Sequence, residues 1–133
     1  MPKKSHEDPR LARLTQIVLA LPETERILMG RHAAYRIRKK TLAYFLDDHH
    51  GDGIVAVTCK VLPGDNERLA AAQPDRFYLP AYVGPKGWVA LRLDQGKVDW
   101  DEVDELIRGS YLLITPKKLA AMVKGGARPG FRI

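Results

Sequence analysis

The 133-residue sequence predicts an α+β fold: a two-layer sandwich of one antiparallel β-sheet with helices packed on one face. Three observations carry this. Apolar residues recur every three or four positions near both ends of the chain, as on amphipathic helices. Across residues 24 to 60 the apolar period drops to two, as on half-buried strands. Residues 75 to 93 then read as a short strand, a rigid corner and a longer strand. In the corner, Pro80 and Pro85 fix φ and donate no amide proton, while Gly84 and Gly87 permit positive φ. Beyond it Val89, Leu91 and Leu93 share one face, and Trp88, Ala90 and Arg92 share the other.

The elements follow in order. Residues 1 to 7 read as a loose, partly basic arm. Asp8 then Pro9 suits a helix cap and first helical position, and Leu11, Leu14, Val18 and Leu21 form a stripe that ends before Pro22. Strands are expected near 24–29, 33–38, 41–47 and 53–60. The stretch Arg38-Lys39-Lys40-Thr41 reads as a tight basic hairpin tip, and residues 47 to 53 as an acidic, flexible, solvated loop. Short connections imply antiparallel neighbours. Tyr35 and Ile37 point one way, Arg36 and Arg38 the other; Val55, Val57 and Cys59 alternate with Ala56, Thr58 and Lys60. One face is therefore apolar and the other mixed and basic. Asp65 is expected to cap a short helix around Leu69. Asp99, with Glu102 three residues on, opens the best-signalled helix, whose buried stripe includes Trp100, Val103, Leu106 and Ile107. A last helix starts at Thr115-Pro116 and ends at Gly125-Gly126, leaving a basic tail over 125–133. Residues 8–124 thus make a single domain.

An apolar fraction of 45% suits a packed core without staples. The single cysteine, Cys59, excludes an intramolecular disulfide and alternates onto the core face as an inert thiol. The first residues lack an apolar signal core, and no apolar run approaches about 18 residues, so a cytoplasmic protein with no membrane contact is expected. Lys plus Arg number 22 against 16 Asp plus Glu, a net charge of +6. Bases gather in residues 31–40 and 116–133 without acids, which points to an anionic partner or to solubility alone.

Chemistry-bearing patterns are few. His6, His32, His49 and His50 form no ligand spacing with Cys59, and a metal in the Asp47–Asp52 loop is less expected than plain solvation. The Asp99–Glu105 acids complement a helix dipole. Ser110 beside Tyr111 has no base near it in sequence and reads as packing. Trp88 is expected under the 80–85 corner, since an exposed indole is costly. No catalytic residue, metal or cofactor is expected, and the chain reads as a non-enzyme.

Several stretches together are familiar: Met29-Gly30-Arg31, Lys40 to Phe45, Asp75-Arg76-Phe77, Pro80-Ala81-Tyr82-Val83-Gly84, Gly87-Trp88-Val89, Leu91-Arg92-Leu93-Asp94, Asp99-Trp100 and Ser110-Tyr111. They resemble the MmcQ/YjbR family of small bacterial proteins over nearly the whole domain. Met29 stands where members often carry an aromatic residue, and His32 where they often carry proline. The resemblance implies a CyaY-like or secretion-chaperone-like sandwich, with Pro80, Tyr82, Gly84, Gly87, Trp88 and Tyr111 as its structural motif, and a DNA-binding role. The surface expected for a largely sequence-nonspecific duplex contact is Arg36, Arg38, Lys39, Lys40, Lys86, Arg92 and Lys97, with Trp88 and Tyr44 or Phe45 able to stack. The alternative is a protein-interaction or chaperone-like module. A monomer is expected in either case.

Overall fold

The computed structural model describes residues 7–123. Most of the N-terminal arm, the Gly125-Gly126 helix end and the basic tail lie outside the described residues. Six strands form one antiparallel sheet: β1 (Thr24–Met29), β2 (His32–Ile37), β3 (Lys40–Asp47), β4 (Val55–Lys60), β5 (Phe77–Tyr78) and β6 (Trp88–Arg92). Their spatial order is β1-β2-β3-β4-β6-β5. The helices are α1 (Pro9–Leu19), α2 (Asp65–Ala72), α3 (Trp100–Ile114) and α4 (Lys117–Ala121).

Local chemistry sets the ends of these elements. The Asp8 carboxylate accepts from the Arg10 amide at 2.8 Å and caps α1. Asp99 accepts from the Asp101 and Glu102 amides at 3.1 and 3.3 Å and caps α3. Glu102 itself turns to pair with Arg76. The β2–β3 hairpin turns on Arg38 and Lys39, both with positive φ, as a two-residue turn that follows the sheet twist requires. A register shift beside Tyr35 leaves Leu42 as an extra residue of β3, and its side chain drops into the core.

Alternation along the strands divides the sheet. Tyr35, Ile37, Phe45, Val57, Cys59, Val89 and Leu91 face a single apolar core. All four helices join that same core, through Leu14, Leu69, Leu106 and Leu119 among others. The opposite face therefore receives none of the described helices. Two buried phenols tie the layers together: the Tyr35 and Thr15 hydroxyls bond at 2.8 Å, and the Tyr111 hydroxyl donates to the Pro22 carbonyl at 2.8 Å.

The corner holds a difference from the sequence reading. Gly84 does not have positive φ; an added Cβ there would meet the Leu79 Cβ at 3.4 Å, so its smallness serves close approach. The positive φ falls instead on Tyr82, at 67°, and on Gly87, at 92°.

These contacts fix an order of stability effects. Leu106→Ala should cost about 2–5 kcal/mol by emptying a buried site. Tyr111→Phe should cost about 1–2 kcal/mol by stripping the Pro22 carbonyl of its donor. Urea unfolding midpoints measure both, and a Tyr111→Phe loss equal to that of Leu106→Ala would contradict the packing described.

Candidate binding site on the open sheet face

The open face is built from small residues at its centre and large ones around them. Ala34, Ala56, Thr58 and Ala90 are buried although none of the described helices lies over them. Their cross-strand neighbours explain this: Tyr44 stands beside Ala34 and Thr58, Tyr78 beside Ala90, and Arg92 beside Ala56. Trp88 also lies on this face, its ring 6.0 Å from that of Tyr44, so it covers the open face where the sequence placed it under the corner.

Between these side chains is a pocket of about 550 Å³, a size suited to a small ligand or a few side chains. Tyr44 and Leu46 of β3, Thr58 of β4 and Tyr78 of β5 form its floor and walls. The corner residues Pro80, Tyr82 and Val83 close one side, and Met29, His32, His49, His50 and Asp52 close the other. Tyr82 is 84% exposed at the rim. Its backbone is the centre of a three-residue turn in which the Val83 amide donates to the Ala81 carbonyl at 2.7 Å. With φ at 67° this is the rare, strained form of that turn.

The loop opposite the corner is fastened, where the sequence suggested a flexible one. The Asp48 carboxylate accepts from the Gly53 amide at 2.7 Å, and Asp52 accepts from the Ile54 amide at 2.9 Å. The Asp47 amide donates to His32 Nδ1 at 3.1 Å. His32 meets His49 edge-on, and His49 lies 3.9 Å from His50 between ring centres. Burial, then the His50 and His32 imidazoles, hold His49 below its ordinary pKa, against the pull of Asp52. Burial first, then the Asp52 carboxylate, pushes the Tyr78 phenol up, against Arg92. Among the described residues no group of three or more His, Cys, Asp or Glu side chains could hold a metal ion.

The seven cations expected to meet phosphates do not gather here. Arg38 is in the turn, not the strand, and pairs with Glu23 at 2.6 Å. Lys40 reaches across to the Ile114 carbonyl at 3.1 Å, on the helix side. Arg92 is held by Asp94 at 2.9 Å. Arg36 does lie on the open face, but it bonds the Lys39 carbonyl at 2.9 Å and its Nε is buried. Lys39, Lys86 and Lys97 are exposed in three separate connections between strands and helices. Of the named aromatic residues, Phe45 is in the core and Tyr44 is on the open face. The sequence reading left Leu46, Tyr78 and the histidines out of the site; the period-two alternation of β3 already placed Leu46 with Tyr44.

A helix layer on one face and an aromatic pocket on the other define a small open-faced α+β sandwich. The family model for YjbR matches residues 19–113, more than half of the chain, and the protein belongs to that family. Among solved structures it is similar to the crystal structure of the Deinococcus radiodurans protein DR2400, which carries the DUF419 domain. The two share 23% identity with a TM-score of 0.67, over 89% of this chain and 94% of that one, which establishes the shared fold. No curated protein matches the chain.

Two charge-state predictions follow from these environments. Burial pushes the Cys59 thiol up to about 12, with only Ser110 pulling the other way. Cys59 should therefore resist iodoacetamide at pH 8 in the native protein and react fully in urea, as read by mass spectrometry. Burial alone would raise the Asp94 carboxyl, but the Arg92 and Val55 hydrogen bonds hold it below its ordinary 3.8. A depressed carboxylate stabilises the fold above its unfolded pKa and loses that contribution as pH falls through the folded one. The stability lead of wild type over Asp94→Asn should thus be constant from about pH 7 to pH 5 and shrink below about pH 4; a lead that grows on acidification would refute the assignment.

Proposed function

We propose that this protein is a non-catalytic interaction module whose open sheet face takes up an extended segment of a partner protein. The observation that carries the reading is the apolar, aromatic pocket on the face that the helices leave uncovered. Such a face offers walls and a floor for a few apolar side chains, the common arrangement at peptide sites. Nucleophilic chemistry finds poor support, because the one thiol is buried with its pKa far above neutrality and His32 Nδ1 already accepts a backbone hydrogen bond.

Duplex binding keeps the net charge of +6 in its favour. Against it, two of its seven cations are neutralised by carboxylates and two more are bonded to backbone carbonyls. A phosphate-tracking surface needs free bases along one path, and here the remaining three sit in separate connections.

Peptides chosen from a random display library separate the readings. Selected peptides should bind wild type with affinity that changes little between about 50 and 200 mM salt. Leu46→Glu, and Tyr82→Ala at the exposed rim, should each weaken binding about tenfold or more while thermal unfolding confirms that the variants fold. A duplex that binds more tightly than any selected peptide, with a logarithmic salt slope of about −4.5 to −6, would replace this reading with the nucleic-acid one.

A further inference from the structure

Resting on that peptide-binding reading, we propose that the pocket holds the side-chain cation of an arginine or lysine in the bound peptide, with Asp52 as counter-ion and tyrosine rings as walls. Charge placement is the first argument. The chain carries 22 Lys plus Arg against 16 Asp plus Glu, yet among the described residues no Lys or Arg lines this pocket, and Asp52 is the one carboxylate that does. An aromatic cavity with an acid at its edge, in a protein otherwise rich in bases, is complementary to a cation and unfavourable to an anion.

Asp52 is also available. Its Oδ1 accepts from the Ile54 amide, a bond that leaves the charge in place and orients the group. Among the described residues it belongs to no ion pair, whereas the neighbouring Asp48 is engaged by Arg31 at 3.2 Å. The field of Asp52 reaches both Tyr78 and Arg92, but Arg92 is spent on Asp94. The imidazole side adds little opposing charge at His49, which burial and its histidine neighbours hold toward the neutral form.

The walls supply the second argument. Tyr44, Tyr78 and Tyr82 come from three different segments and line one cavity. Aromatic faces attract guanidinium and ammonium groups, by about 0.5–1 kcal/mol when exposed and about 2 kcal/mol when desolvated. Tyr82 sits in a strained turn and is exposed at the rim. Strained residues that persist at the mouth of a cavity are a recurrent mark of ligand sites, and an arriving cation would give this ring the contact it lacks.

The experiment uses the peptides selected on wild type. Each arginine is replaced in turn by citrulline and each lysine by acetyl-lysine, which removes charge and keeps shape. One such replacement should weaken binding about tenfold. Asp52→Asn should weaken the parent peptide by a similar factor and bind parent and neutral peptide alike, because the pair is then already broken. Tyr82→Leu, at an exposed position and with thermal unfolding checked against wild type, should weaken the cationic peptide more than the neutral one. If every neutral replacement binds as the parent does, or if Asp52→Asn leaves the charge preference intact, the cation assignment is overturned while the interaction module stands. If Leu46→Glu leaves peptide binding unchanged as well, the module reading falls with it.

Discussion

Each strand of a sheet must send successive side chains to opposite faces, and in this protein the described helices meet only one of them. Every residue that commits Tyr35, Phe45, Val57 or Leu91 to the core thereby commits its neighbours to a face with no helical cover. That second face would be unstable as a broad apolar plane. It is made tolerable by small residues at the centre, where Ala34, Ala56 and Ala90 need little shielding, and by large amphipathic rings around them. Tyrosine suits this position because its ring covers apolar surface while its hydroxyl keeps a polar end for water or a partner. The pocket is the space those rings leave between them.

The parts of this arrangement that depend on periodicity were legible in the sequence. Strands β1 to β4, the caps at Asp8 and Asp99, the buried Cys59 and the single helical layer all follow from local spacing and cap chemistry. What failed were positions where one residue decides between strand and turn. Arg38 looked like the last alternating residue of a strand, but the hairpin needs two consecutive residues at positive φ and takes Arg38 as one of them. Gly84 and Gly87 looked like the flexible points of the corner, yet beside Gly87 the left-handed residue is Tyr82 and not Gly84. Sequence propensity assigns positive φ to glycine because isolated residues prefer it there. Tertiary bonds around Tyr82 outweigh that preference.

Charge was the least legible feature, for a physical reason. The sequence fixes how many bases there are and not what they touch. Arg38 and its carboxylate Glu23 lie fifteen positions apart, and Lys40 lies seventy-four positions from the Ile114 carbonyl that it bonds. No local pattern marks either pair. Exposed pairs of this kind contribute little stability, but they change the surface: a base that has a partner is no longer free to attract a phosphate at full strength. The net charge of +6 therefore says little about which face would receive an anion, and among the described residues the one Asp, Glu, Lys or Arg that lines the pocket is the acidic Asp52.

Strain at Tyr82 persists only if its surroundings over-determine it, and the helix layer supplies that restraint from the other side of the chain. Asn66 of α2 is buried, and its Nδ2 donates to the Gly84 carbonyl at 2.9 Å and to the Trp88 carbonyl at 3.1 Å. Those two carbonyls bracket the end of the corner. The Gly84 amide in turn donates to the Pro80 carbonyl at 2.9 Å, and Gly84 packs on Leu79. A single buried amide thus pins the far end of the loop, the bond across to Pro80 closes it, and Tyr82 is left between two fixed points with too few residues to relax. The rim of the open face is consequently set by the same helix that seals one end of the core, so the geometry of the pocket is tied to the stability of the fold.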